Sequence, residues 1–212
     1  MKILAVGDSF TYGYEMQDTG NAWPCVLARK LNATVTNLAK PGGGNTQIVR
    51  NIVEHADQYD LVVVGWTSPG RIEFSDQIGT YDIWPGWNGK QRVSHRVEIA
   101  KQLTIAHNDQ YLFRQFLINI ILVQSFLNFK NIPYVMASTQ GESEHYYSSC
   151  KQNNVDLLNK IDYNTFIEWP KNGMAEWTFG CRQGPEHHFL EDGHERVAEK
   201  FYEHYRHIRG LS

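Results

Sequence analysis

Cysteine is scarce in this chain. There are three in 212 residues, Cys25, Cys150 and Cys181. An odd, widely spaced set builds no disulfide framework, and without a CxxC pair it builds no zinc site. A reducing compartment is the simpler expectation, with a single bridge from Cys181 to Cys25 or Cys150 left open. An excess of one charge is also lacking: 20 Lys and Arg face 23 Asp and Glu, a formal net charge of −3. That leaves no electrostatic footprint for nucleic acid or an anionic membrane. Long apolar runs are missing too. The opening MKILAVGDSF has only Ile3–Gly7 between its Lys and its first Asp. This is too short for a secretory core, so the expected location is cytoplasmic. Phe116–Phe129 is broken by Asn119, Gln124, Ser125 and Asn128. It falls short of the roughly 18 clean apolar residues of a membrane span.

What is present fits one α/β domain over residues 1–212. Hydrophobic residues at 42% and charged residues at 20% exclude a disordered chain. Short apolar runs alternate with helical periodicity. Lys2–Val6, Thr34–Leu38, Leu61–Gly65 and Ile132–Ser138 read as strands. Ala22–Leu31, a segment capped by Asn45 or Thr46, Asp109–Phe129 and Asp192–His207 read as helices. LVVVG at 61–65 is apolar on both faces, as a covered parallel strand is. The expected fold is therefore a three-layer α/β/α sandwich around a mostly parallel sheet, flavodoxin-like in architecture. Residues 69–109 break the rhythm and read as an aromatic-rich insertion holding Trp84 and Trp87, two of the six tryptophans. Residues 140–180 carry no clear pattern.

In such a sheet the strand C-terminal ends share one edge, where ligands bind. Three segments are expected on that rim: Gly7-Asp8-Ser9, Gly42-Gly43-Gly44 and Gly65-Trp66-Thr67. Ser9 would need a base to act as a nucleophile; alone, Gly-Asp-Ser is also ordinary turn chemistry. The triple glycine lets backbone approach a ligand closely, as an oxyanion site, a phosphate cradle or a plain loop. Its spacing matches neither G-x-G-x-x-G nor a P-loop. His187 and His188 lie in a late loop that could fold back to the rim. Their spacing is not that of a metal-binding helix, so no metal and no cofactor is expected.

Taken together, these pieces resemble the SGNH (GDSL-type) hydrolase superfamily along nearly the whole chain. MKILAVGDSFTYG (1–13) is similar to the first block, with the nucleophile at Ser9. NLAKPGGGN (37–45) is similar to the second, where a glycine amide helps form the oxyanion hole; Gly42 fits that position. HFLEDGHERVA (188–198) is similar to the last block, and its spacing to Gly193-His194 selects His188 as the base. Two departures stand out. LVVVGWT (61–67) places Thr67 where the third block carries an oxyanion-binding Asn, leaving Thr67 or Asn45 as the side-chain donor. One such donor is worth about 2.7–4 kcal/mol of transition-state stabilisation. In the last block Pro185 stands where the orienting Asp belongs; Glu186 is the nearest carboxylate and is read as that acid, and Asp192 as a helix cap.

The resemblance implies a serine esterase acting without a cofactor on a small acyl ester, such as an O-acetyl group on a carbohydrate. Trp66 reads as core or as a substrate contact, and Trp84 and Trp87 as substrate contacts or as packing of the insertion. The alternative is a non-catalytic carbohydrate- or ligand-binding protein on the same scaffold, or a structural component of a larger assembly. Oligomeric state is not legible in the sequence.

Overall fold

The computed structural model describes residues 1–75, 79–83, 94–106, 108–139 and 142–210. In chain order the elements are β1 (Lys2–Val6), α1 (Ser9–Tyr12), α2 (Trp23–Lys30), β2 (Thr34–Asn37), α3 (Asn45–His55), β3 (Leu61–Trp66), β4 (Ile72–Ser75) and β5 (Thr80–Ile83). They continue as α4 (Ser94–Ala106), α5 (Asp109–Lys130), β6 (Tyr134–Ser138), α6 (Glu142–Cys150), α7 (Val155–Leu158), α8 (Met174–Trp177) and α9 (Glu191–Ile208). Short 3₁₀ turns join several of them. The four strands and four long helices expected from periodicity are β1, β2, β3 and β6 and α2, α3, α5 and α9.

The main sheet has the order β2-β1-β3-β6 and is parallel throughout. β3 is buried along its whole length, because helices cover both faces. On one side α3 and α5 pack through Ile48, Ile52, Phe116 and Ile120 against Val62 and Val64. On the other, α2 and α9 pack through Trp23, Leu27, Val197 and Phe201 against Ile3 and Val63. The sandwich expected from the sequence is the one observed. β1 has β2 on one side and β3 on the other, so successive crossovers leave it in opposite directions. That switch point opens a crevice beyond its carboxyl end, and Asp8 and Ser9 follow there directly.

Several details differ from the sequence reading. The N-cap of α3 is Gly44, without a side-chain hydrogen bond, rather than Asn45 or Thr46. The N-cap of α9 is Leu190; Asp192 lies in the first helical turn and accepts from Arg182 N–H at 3.1 Å. The segment 69–109 contains the antiparallel hairpin β4–β5 and helix α4. All three cysteines are free. The helix α5 begins before Phe116, and residues 109–129 are long and apolar enough, by length and composition, to cross a membrane. Its buried residues, Phe113, Phe116, Leu117 and Ile120 among them, belong to the core on the β3 side.

α9 is pinned to α2 by His194. Its Nδ1 accepts from the Trp23 N–H at 3.0 Å, capping a helix whose own N-cap, Ala22, offers no side-chain acceptor. The ring also meets Phe189 edge-on at 4.5 Å. Gly193 is required here because a β-carbon would strike the Phe189 side chain at 2.6 Å. Burial lowers the His194 pKa from 6.5 to about 3, and the neighbouring His188 pushes the same way. The unfolded chain therefore takes up this proton near pH 6.5 while the folded chain refuses it down to about pH 3. Stability contributed by the neutral ring is complete above about pH 6.5. It falls with acidification by up to about 1.4 kcal/mol per pH unit. Urea unfolding of His194→Gln should show a shallower pH dependence than wild type between about pH 6.5 and 4.5. Parallel slopes would remove His194 as the source.

Candidate active site

The first turn after β1 is built around a carboxylate with no exposed surface. Asp8 caps α1, accepting from Phe10 N–H at 3.0 Å. Its Oδ2 accepts from Thr67 Oγ1 at 2.7 Å, and Thr139 Oγ1, at 3.3 Å, shares its one proton between this oxygen and the nearer Trp66 carbonyl at 2.9 Å. Arg71 Nη1 lies 3.4 Å from the same oxygen. The ends of β1, β3 and β6 thus converge on one buried acid. The close approach needs glycine at two points: a β-carbon on Gly7 or on Gly65 would collide with Thr11 Oγ1, which fills the gap between them.

Ser9, the first residue of α1, is 5% exposed. Its Oγ lies 2.9 Å from His188 Nε2. His187 adopts a left-handed backbone, φ 66°, so the adjacent histidines diverge and His188 alone turns to the serine. Its ring is held between Phe10, at 4.8 Å, and Tyr14, edge-on at 5.1 Å.

The acid bonded to His188 is Glu15, where the sequence reading placed Glu186. Glu15 Oε2 lies 2.9 Å from His188 Nδ1 and accepts the His188 backbone N–H at 3.1 Å. Glu186 contributes its backbone N–H, which donates to Glu15 Oε1 at 2.8 Å. The physical reason is the path of the chain after α1. Gly13 caps that helix at φ 86°, and Glu15 itself sits at φ 70°. These two left-handed residues swing the carboxylate under the late loop. That loop receives it at Gly184, where any β-carbon would lie 2.6 Å from the carboxyl carbon. Burial raises the Glu15 pKa, but the N–H groups of Glu186 and His188 and the imidazole outweigh it, and the net shift is downward. Glu15 therefore stays ionised at neutral pH. Non-glycine residues in the left-handed region cost energy, and they gather at functional sites where the surroundings enforce them.

The remaining candidates divide. Gly42 lies on the rim in the turn after β2, at φ 77°. Among the described residues neither the Ser9 N–H nor the Gly42 N–H donates to a protein acceptor, whereas the Gly43 N–H is spent on Lys40 O at 2.8 Å. Thr67 departs from the donor role: its hydroxyl proton is committed to Asp8. Asn45 departs from it as well. Its Nδ2 donates to the Thr67 and Ser68 carbonyls, both at 3.2 Å, and its Oδ1 accepts the Thr67 N–H. Trp66 is fully buried, its indole N–H directed at Met136 Sδ at 3.3 Å and its ring edge-on to Phe116. It is core, because both faces of β3 are covered. Trp84 and Trp87 lie outside the described residues. Among the described residues no three His, Cys, Asp or Glu side chains gather as a metal site would require.

A model of a family of unknown function, DUF6071, matches residues 8–211. The chain belongs to that family. No curated protein matches it in sequence. Its fold is that of GDSL lipolytic proteins and esterases. A lipolytic protein of the G-D-S-L family from Veillonella parvula DSM 2008 superposes with a TM-score of 0.54 at 16% identity, covering 96% of this chain and 97% of the other. An esterase from Pseudoalteromonas sp., solved as its monoethylphosphonate-inhibited form, gives 0.55 at 12% identity, covering 99% and 98%. An acetyl xylan esterase from the rumen bacterium Butyrivibrio proteoclasticus gives 0.57 at 15% identity, covering 100% of this chain and 65% of the other. At these identities the likeness is one of fold.

Thr67→Val tests the Asp8 bond directly. It leaves a buried carboxylate short of its closest donor, and urea unfolding should register a loss of about 1–3 kcal/mol. A change below about 0.5 kcal/mol would mean that the hydroxyl is dispensable there.

Proposed function

We propose that this chain is a serine esterase working through an acyl-enzyme. The observation that carries the reading is the run of contacts Ser9 Oγ to His188 Nε2 to Glu15, two bonds of 2.9 Å each. A nucleophile, a base within reach of its proton and an acid orienting that base are the parts nucleophilic acyl transfer needs. Ser9 Oγ attacks the ester carbonyl as His188 Nε2 takes its proton. Glu15 fixes the ring tautomer through Nδ1–H and stabilises the imidazolium. The N–H groups of Ser9 and Gly42 are the donors for the oxyanion. His188 then protonates the departing alcohol, and a water activated by the same ring releases the acid. No cofactor enters these steps.

With Thr67 and Asn45 committed elsewhere, the oxyanion has two backbone donors and no third from those side chains. A small acyl group, such as acetyl on a carbohydrate hydroxyl, is the preferred substrate. The acetyl xylan esterase of like fold supports that choice, and so does the near-neutral charge of the chain.

Hydrolysis of p-nitrophenyl acetate tests the assignment. Ser9→Ala and His188→Ala should reduce kcat by at least about 10³-fold, and Glu15→Gln by about 10²–10⁴-fold. Glu186→Gln should stay within about threefold of wild type. No turnover by the wild type, or equal turnover in the Ser9 and His188 variants, would remove the esterase reading. A Glu186 effect as large as that of Glu15 would return the acid role to Glu186.

A further inference from the structure

The Gly42 amide belongs to a turn that is held from outside the main sheet. Lys40-Pro41-Gly42-Gly43 closes through Gly43 N–H donating to Lys40 O. Proline second and a positive φ third is the type II pattern, in which the Gly42 N–H stands across the plane of the turn. The direction it faces depends on how the turn is tilted as a body. Lys40 N–H donates to Gly7 O at 3.2 Å, and Arg71 Nη1 donates to Gly43 O at 3.4 Å. The third tether is Asp82. Its Oδ2 lies 3.7 Å from the Lys40 ammonium. Its Oδ1 lies against Gly44, 2.5 Å from where a β-carbon would be. One carboxylate therefore lies against both the residue that opens the turn and the residue that follows it.

Asp82 comes from β5, in the hairpin opposite Glu73 of β4, and no part of it belongs to the parallel sheet. Its side chain is 2% exposed, and among the described residues neither oxygen makes a well-aligned hydrogen bond. Burial raises its pKa. Lys40 works against that, Glu73 adds to it, and the Gly44 N–H and Arg71 oppose it. A buried carboxylate balanced this way is unfavourable unless cations and dipoles surround it. Here they are Lys40, Arg71 and the N-terminus of the eleven-residue helix α3, whose N-cap Gly44 has no side chain of its own.

We propose that Asp82 is a positioning residue: by holding Lys40 and Gly44 it sets the Gly42 N–H at the rim, so that the β4–β5 hairpin completes the oxyanion-binding half of the site. This inference rests on the esterase reading. Asp82→Asn keeps the shape and removes the charge. With p-nitrophenyl acetate its kcat should fall at least about tenfold while KM stays within about twofold. Phosphonylation of Ser9 by an ethyl p-nitrophenyl phosphonate, which transfers its phosphonyl group and releases p-nitrophenolate, should slow in proportion. Lys40→Met, at the exposed end of the pair, should act in the same direction and adds little to Asp82→Asn in the double variant. It also serves as the test if Asp82→Asn does not fold. Glu73→Gln loosens the same hairpin from Arg50, its bidentate partner at 2.7 Å, and should leave kcat within about twofold. Wild-type turnover and labelling with unchanged kcat in Asp82→Asn, or in Lys40→Met where that is the folded variant, overturns the inference alone. So does a Glu73→Gln loss equal to that of Asp82→Asn, which would make the effect one of hairpin docking. A wild type that neither turns over nor takes the label overturns the esterase reading and this inference with it.

Discussion

A carboxylate shut away from water organises the rim. Ionised carboxylates rarely go fully buried without several donors, and Asp8 recruits them from three directions: its own helix, the strand ends at Thr67 and Thr139, and Arg71. The consequence is mechanical. The residue after Asp8 is Ser9, so anything that moves the ends of β3 or β6 moves the Ser9 hydroxyl with them. Thr67 shows how this constraint competes with chemistry. At the position where a free oxyanion donor was expected, the buried acid takes the hydroxyl for itself.

The relay is assembled from two ends of the chain. Ser9 and Glu15 arrive together on the short stretch that follows β1, and His188 arrives from a loop more than 170 residues later. Two left-handed residues, Glu15 and His187, each aim one partner. The late loop bonds Glu15 through the backbone N–H groups of Glu186 and His188. It therefore shapes the electrostatics of Glu15 as well as carrying His188.

Much of this was legible in the sequence. The strands and the long helices follow from apolar periodicity, and LVVVG at 61–65 marks the sheet centre because helices cover both its faces. Ser9 and His188 were legible because each sits in a local pattern with fixed offsets, Gly-Asp-Ser and His-x₄-Gly-His. Glu15 was not. Its selection depends on the φ values of Gly13 and Glu15 and on the space left by Gly184, and no local motif encodes a contact closed across 173 residues. Glu186 attracted the assignment because it is near His188 in sequence, yet what it contributes to the relay is its amide. Trp66 was left between core and substrate contact because a tryptophan at a strand end resembles a ligand platform until the covering helix is known. Asp82 lay in the segment whose rhythm failed, where periodicity carries no information about which side chain turns inward.

The capping of α2 by His194 reaches further than stability. His188 and His194 ride on the same late stretch, one facing the serine and the other fastened to the start of α2. Ser9 and Glu15 lie together on one local segment beside β1. His188 joins them from the loop before α9, the last long helix of the chain, which packs against α2. The contact between Ser9 and His188 thus exists only where the two ends of the chain have closed on each other.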